Sequence, residues 1–368
     1  MARKATVTIG IAAPFSGEAK LLGREKKQAI ELAIDEVNSQ GGILGQEILT
    51  FALDDQSEVE RGLGVAEEFA RRPDVLAVIG HYSSDVTIAA ADVYHQASLA
   101  VVAPIASNPD LTEKRLPNVF RFTNRDDETG LAIAQFLYRE LGKRRAVLVE
   151  SATAYGRSMA QQFGDAFQRL GGEIVYRQIV QSGARSFDGL IRSLPKDFDV
   201  VFYGGSFEGA YILRSMRSEG HGQRFAAGDG CWDKSNFLIP AGNALLQGEG
   251  VLVLSATPEI GLVPGSSEFA KKYSQRFGPI TNYAVNSYDA TRFVLNAISQ
   301  IETETGQKPN RSAVPMAIRS AKYRGIAYPQ QVHWNVQGDN LASLTALYEV
   351  TDGDFHQVAE VPRRGANI

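Results

Sequence analysis

Short apolar runs recur along the chain, and between them the apolar residues fall at helical spacing. VTIGIA at Val7–Ala12, Ile48–Leu53, Val75–Ile79, Ala146–Val149, Val200–Tyr203 and Val251–Leu254 have the length and continuity of strands buried on both faces. Between them, Ile30, Ala33, Ile34 and Val37 mark one amphipathic helix, and Val86, Ala89, Ala90, Val93 and Ala97 another. The same alternation predicts strands at Val119–Phe122, Ile174–Gln178, Phe225–Ala227, Val332–Trp334 and Leu347–Val350. It predicts helices through Val59–Phe69, Leu131–Tyr138, Met159–Leu170, Gly189–Leu194, Gly209–Met216, Phe269–Phe277 and Ala290–Ile301. Strand and helix in alternation mean parallel sheets covered on both faces, and 368 residues are enough for two of them.

In such folds ligands sit where strands end, so the strand-to-helix loops carry the chemistry. Gly80-His81-Tyr82-Ser83-Ser84-Asp85 follows one strand and places two hydroxyls at a helix start, where backbone N–H groups and the helix dipole favour an anion. Ser and Asp at that position are equally ordinary N-caps. Ala103-Pro104-Ile105-Ala106-Ser107-Asn108-Pro109 follows the next strand and sets Ser107 beside that first loop, while Ser16 closes the turn after the first strand. The glycine cluster Gly41-Gly42-Ile43-Leu44-Gly45 follows a helix instead of a strand, so it is no phosphate-binding loop.

Composition narrows the classes. Apolar residues make up 44% and charged ones 22%, as in globular chains, and the formal net charge of −4 gives no basic field for nucleic acid or anionic lipid. The lone cysteine, Cys231, excludes an intrachain disulfide, and the five histidines show no ligand spacing, so no metal or cofactor is expected. No G-x-S-x-G elbow, P-loop, H-E-x-x-H or kinase signature occurs, and no catalytic residue is assigned. Met1-Ala2-Arg3-Lys4 leads straight into a strand, as expected of a cytoplasmic protein or of a mature chain whose export signal has been removed.

Taken together, PFSG, VNSQGGILG, LDD, IGHYSSDVT, VAPIASNPDLT, FRFTNRDD, TAYG, VFYGG, ILRSMRSEG, GDG and NYAVNSYDA resemble, in order and over nearly the whole chain, the branched-chain and neutral amino-acid binding proteins of ABC importers. The resemblance implies an α/β fold of two doubly wound parallel-sheet lobes joined by three hinge crossings, near Thr123–Asp126, Gly250–Ser255 and Tyr328–Trp334. Lobe one comprises 1–123 plus 255–329 and lobe two 124–254 plus 330–368. It further implies an extracytoplasmic, periplasmic monomer that closes like a flytrap on a neutral, apolar or branched-chain amino acid and then meets a membrane ABC permease. The alternative is a cytoplasmic or receptor-linked sensor of an amide, urea or aromatic acid.

Carried over residue by residue, the resemblance gives Ser84 the α-carboxylate, with Ser83 and Tyr82 flanking it. The backbone of Ile105 or Ala106 and the hydroxyl of Ser107 hold carboxylate and ammonium, and Asp229 pairs with the ammonium. Tyr155 covers the ligand, and Phe207 and Tyr283 wall the pocket. Trp232 is a face for the ammonium, a wall for the side chain or packing beneath the loop. His81 is expected to be a satisfied structural histidine, and Glu208 either reaches the cleft or, as the more ordinary fate, is solvated at the surface. Leu22 and Ser206 stand where relatives carry aromatics, and Ser57 and Ser83 stand where some carry a disulfide. Asp85 sits beside the anion site and must turn away to cap the helix.

Overall fold

In the computed structural model, which describes residues 6–280, 283–306 and 308–362, the chain divides into two units. Up to the ends of the described chain, unit 1 holds residues to 123 and 260–343, and unit 2 holds 124–259 and the segment from 344. The first five residues and the last six lie outside the described residues, as do Thr281, Asn282 and Gln307.

Unit 1 begins with β1 (Thr6–Ala13), α1 (Lys20–Ser39), β2 (Glu47–Asp54), α2 (Val59–Arg71), β3 (Val75–Ile79), α3 (Ser84–Gln96), β4 (Ala100–Ala103), the single turn α4 (Asp110–Glu113) and β5 (Val119–Arg121). Its five strands are all parallel, in the order β2-β1-β3-β4-β5. Every residue of β3 and β4 is buried, which is why those runs carry no polar alternation. Phe69, Val78, Ala90, Tyr94 and Val101 belong to the core between this sheet and helices α2 and α3. The order reverses direction between β1 and β3, the switch point at which open α/β sheets hold ligands.

Unit 2 continues with α5 (Asp126–Gln135), extended by a π turn at Phe136–Glu140, then β6 (Arg145–Ser151), α6 (Ala154–Arg169), β7 (Glu173–Val180), α7 (Asp188–Arg192), β8 (Val200–Gly204), α8 (Glu208–Ser218), β9 (Arg224–Ala227), short helical turns that include α9 (Ile239–Ala241), and β10 (Val251–Ser255). The chain then returns to unit 1 for α10 (Ser266–Phe277), α11 (Ala284–Thr305) and α12 (Val314–Ser320), and ends in unit 2 with β11 (Leu344–Thr351) and β12 (Asp354–Pro362). The second sheet runs β12-β11-β10-β9-β8-β6-β7. Phe163 and Phe202 stack at 3.9 Å in its core, with Leu148, Met159 and Leu254 around them. No helix among the described residues is long and apolar enough to cross a membrane.

Three expectations are corrected. The second sheet is not wholly parallel: β10–β11 and β11–β12 pair antiparallel, because a hairpin adds both C-terminal strands to one edge. Val332–Trp334 is not a named strand; Val332 bridges Tyr323 and Trp334 bridges Asn340, as isolated pairs only. The chain also changes unit later than the sequence reading put the second and third crossings. Tyr348 Oη donates to the Thr257 carbonyl at 3.0 Å and Glu259 N to Gln357 Oε1 at 2.8 Å, which keeps 255–259 with unit 2. Arg121 Nε donates to Asp339 Oδ1 at 2.9 Å and Asn340 Nδ2 to the Phe122 carbonyl at 2.9 Å, which keeps 330–343 with unit 1.

Candidate ligand site

At the carboxyl edge of the first sheet the loops are organised from beneath. His81 is fully buried, its Nδ1 2.7 Å from Asp55 Oδ2 and its Nε2 2.8 Å from Tyr94 Oη, so both ring nitrogens are used in holding the loop. The histidine is structural, as its sequence setting predicts. Above it Ser83 takes the N-cap position of α3, yet no side-chain cap hydrogen bond forms there. Thr87 N and Thr87 Oγ1 both donate to the Ser83 carbonyl, at 3.0 and 2.6 Å, which stiffens the first turn. Asp85, half-buried, accepts from Ser83 Oγ at 3.5 Å. Ser84 is 3% exposed, and its Oγ accepts from Asn108 N at 3.4 Å, which joins the loop after β3 to the loop after β4.

That second loop is clamped. Arg121, fully buried at the end of β5, donates to the carbonyls of Ala106, Asn108 and Pro109 at 3.4, 2.6 and 3.3 Å and to Thr112 Oγ1 at 2.6 Å, while Asp339 neutralises it. Ile105, Ala106 and Ser107 are buried on this scaffold. Ser16, the third strand-end hydroxyl, is directed elsewhere: its Oγ donates to Asp54 Oδ2 at 2.6 Å.

Helix α1 closes the edge. A Cβ on Gly23 would stand 1.8 Å from the Pro14 carbonyl, so only glycine lets the helix lie against the end of β1. The approach places Leu22 and Lys26 beside a narrow recess lined by both of them and by Tyr82, Ile105, Tyr283 and Ser287. Burial drives the Lys26 ammonium down to a pKa of about 7, opposed by attraction to Asp55. Tyr283, 4% exposed, starts α11 in the left-handed region at φ 56°, which turns the chain onto the recess.

In unit 2 the candidates again follow strand ends. Asp229, after β9, is 5% exposed and accepts from Tyr155 Oη at 2.5 Å, and Gly230 N donates to the same hydroxyl at 2.9 Å. Tyr155, at the start of α6 after β6, is thereby brought to Asp229. Phe207 is half-buried at the start of α8. Trp232 packs its ring on Tyr348 at 5.4 Å and Phe355 at 6.4 Å. Glu208 is corrected: at 1% exposure it accepts from Ser182 Oγ, Gly183 N and Tyr203 Oη, and holds a loop instead of facing water. Burial, reinforced by Glu208, raises the Cys231 thiol well above its ordinary range.

Sequence reasoning missed Arg121, Asp339, Lys26 and Ser287. The first two are 218 positions apart and their pairing has no local signal. Lys26 has one: it shares the helical face of Ala29, Ile30 and Ala33, where a charge is out of place.

A family model described as periplasmic binding protein matches residues 6–354. A relative in Brucella melitensis biotype 1, Leu/Ile/Val-binding protein homolog 1, is 32% identical over 295 residues, 80% of this chain and 78% of its own length. Among solved structures, an ABC transporter substrate-binding protein from Desulfitobacterium hafniense in complex with Leu is 27% identical, with TM-score 0.79, over 96% of this chain and all of the other. The leucine binding protein LivK of Thermotoga maritima MSB8 shares the fold with TM-score 0.87 at 24% identity, over 97% of this chain and 99% of its own.

Proposed function

This chain belongs to the periplasmic binding protein family, and on that premise we propose that it is the extracytoplasmic solute-binding component of an ABC importer, carrying a neutral amino acid of the kind its branched-chain relatives are named for. The ligand's α-carboxylate is taken by Ser84, the leading amides of α3 and the loop Ile105–Ser107, with Ser83 and Tyr82 at its flank. Asp229 takes the ammonium, Tyr155 orients Asp229 and covers the ligand, and Phe207 and Tyr283 wall its side chain. Trp232 serves beneath the loop of Asp229.

The observation that carries this reading is chemical complementarity: a buried, tyrosine-anchored carboxylate in one unit, and hydroxyl and amide donors at the strand ends of the other. A zwitterion needs both. A ligand that binds one arrangement of the chain better than another shifts the population toward it. No bond is made or broken, no cofactor takes part, and the closed monomer is what a membrane permease recognises.

Titration calorimetry with leucine, isoleucine and valine tests the assignment. Asp229→Ala should weaken binding about tenfold to a hundredfold, the loss of one charge-assisted hydrogen bond. Unchanged affinity in that variant removes the ammonium assignment. An aromatic acid bound equally well by both proteins would support the second reading, a sensor on the same fold.

A further inference from the structure

The recess in unit 1 holds two polar atoms that no group among the described residues satisfies. Lys26 Nζ and Ser287 Oγ are enclosed without a hydrogen-bond partner among the described residues, and both residues line it, at 2% and 0% exposure. Asp55 attracts the lysine through space, but its own Oδ2 is occupied by His81 and its Oδ1 by Ser57 N. Buried ammonium groups are ordinarily paired, and buried hydroxyls ordinarily bonded. The other walls, Leu22, Tyr82, Ile105 and Tyr283, are aliphatic or aromatic. Tyr82 and Ile105 belong to the two loops assigned to the α-carboxylate, so the recess adjoins the ligand those loops would hold, and Tyr283, assigned to its side chain, is a further wall.

We infer that the ligand's side chain ends in an oxygen acceptor, a carboxamide or carboxylate, received by Lys26 Nζ and Ser287 Oγ. The inference rests on the amino-acid reading above and changes its side-chain class from aliphatic to oxygen-bearing. An ammonium donates and cannot accept, so only an acceptor satisfies it, and the serine hydroxyl donates to the same oxygen or its partner. A purely aliphatic side chain would seal both donors away from water with nothing to bond.

Calorimetric titration of the purified wild-type protein, K26M, S287A and D229A with glutamine, glutamate and leucine decides it. Glutamine or glutamate should bind the wild type at least about tenfold more tightly than leucine. K26M should reverse that preference, and S287A, a smaller change that guards against misfolding of the lysine variant, should weaken the oxygen-bearing ligand by about tenfold. Tighter glutamate identifies a carboxylate subsite, tighter glutamine a carboxamide subsite, and either supports the inference. Leucine bound most tightly, with K26M and S287A leaving all three affinities as in the wild type, overturns it while the amino-acid reading stands. If none of the amino acids binds, or D229A binds them as the wild type does, the amino-acid reading fails and the inference falls with it.

Discussion

Single residues divide here by what their burial demands of them. His81 is satisfied at both nitrogens and Glu208 by three donors, so each is fixed in place by its neighbours. Lys26 is buried without such satisfaction, and the sign of its effect on stability follows. Its folded pKa of about 7 lies below its ordinary 10.5, with burial dominating over the attraction of Asp55. Between those values the unfolded chain binds the extra proton, so this residue makes stability rise with pH across that window, with its full penalty present below pH 7. K26M removes the titration while keeping most of the volume. In the free protein it should raise the thermal midpoint by roughly 3 °C or more at pH 6, with the gain shrinking toward pH 10. Scanning calorimetry across that range checks it. A gain that is independent of pH would mean that packing, not charge, is what changed. The sequence showed Lys26 on an apolar helical face, but whether such a side chain snorkels to water or stays enclosed depends on what packs over it, and α11 is far away along the chain.

At the scale of elements, strands, helices and their order could be read directly, because runs buried on both faces and helices with one apolar face leave unmistakable periods. The exceptions have physical causes. Strands β11 and β12 form an antiparallel edge ribbon, and in β12 the half-buried Gln357 and the exposed Glu360 dilute the apolar run. Val332–Trp334 carries strand-forming residues and lacks a partner strand long enough to build a ladder. Among candidate residues, those at strand ends were legible because loop position in this topology follows from strand order; the supports beneath them were not. Arg121 is the clearest case: a charged residue ending a short strand reads as a solvated edge, yet it holds three carbonyls of the loop after β4. Arg121→Ala leaves Asp339 buried with its guanidinium gone and should destabilise unit 1 by about 3–5 kcal/mol. Arg121→Lys keeps the charge but not the fork, so it should recover part of the stability and little of the ligand affinity. Chemical denaturation with parallel ligand titration separates the two effects, and wild-type affinity in Arg121→Lys would show that the loop holds its shape without the clamp.

Over the whole molecule, the two units repeat one strand order: β7-β6-β8-β9-β10 in unit 2 matches β2-β1-β3-β4-β5 in unit 1. No repeat is visible in the sequence, since parallel order is preserved by any apolar residues of suitable size. The repetition explains why candidates fall after corresponding strands. Tyr82 and Ser84 follow β3 as Phe207 follows β8, and Ile105–Ser107 follow β4 as Asp229 follows β9. Each unit also has its own core, and under the proposed reading, in which the ligand draws on residues of both, binding would make their unfolding interdependent. A bound ligand at one hundred times its dissociation constant should add about 2.7 kcal/mol, and it does so only to the states that contain the complete site. Scanning calorimetry of the ligand-free protein should therefore resolve a broader or two-step transition, and saturating ligand should sharpen it and move it upward. Asp229→Ala, which keeps every unit 1 contact, should lose about half of that shift or more. If the ligand raised only the unit 1 component, and did so equally in Asp229→Ala, then unit 1 alone would hold it and the second unit's acid would have no part in recognition.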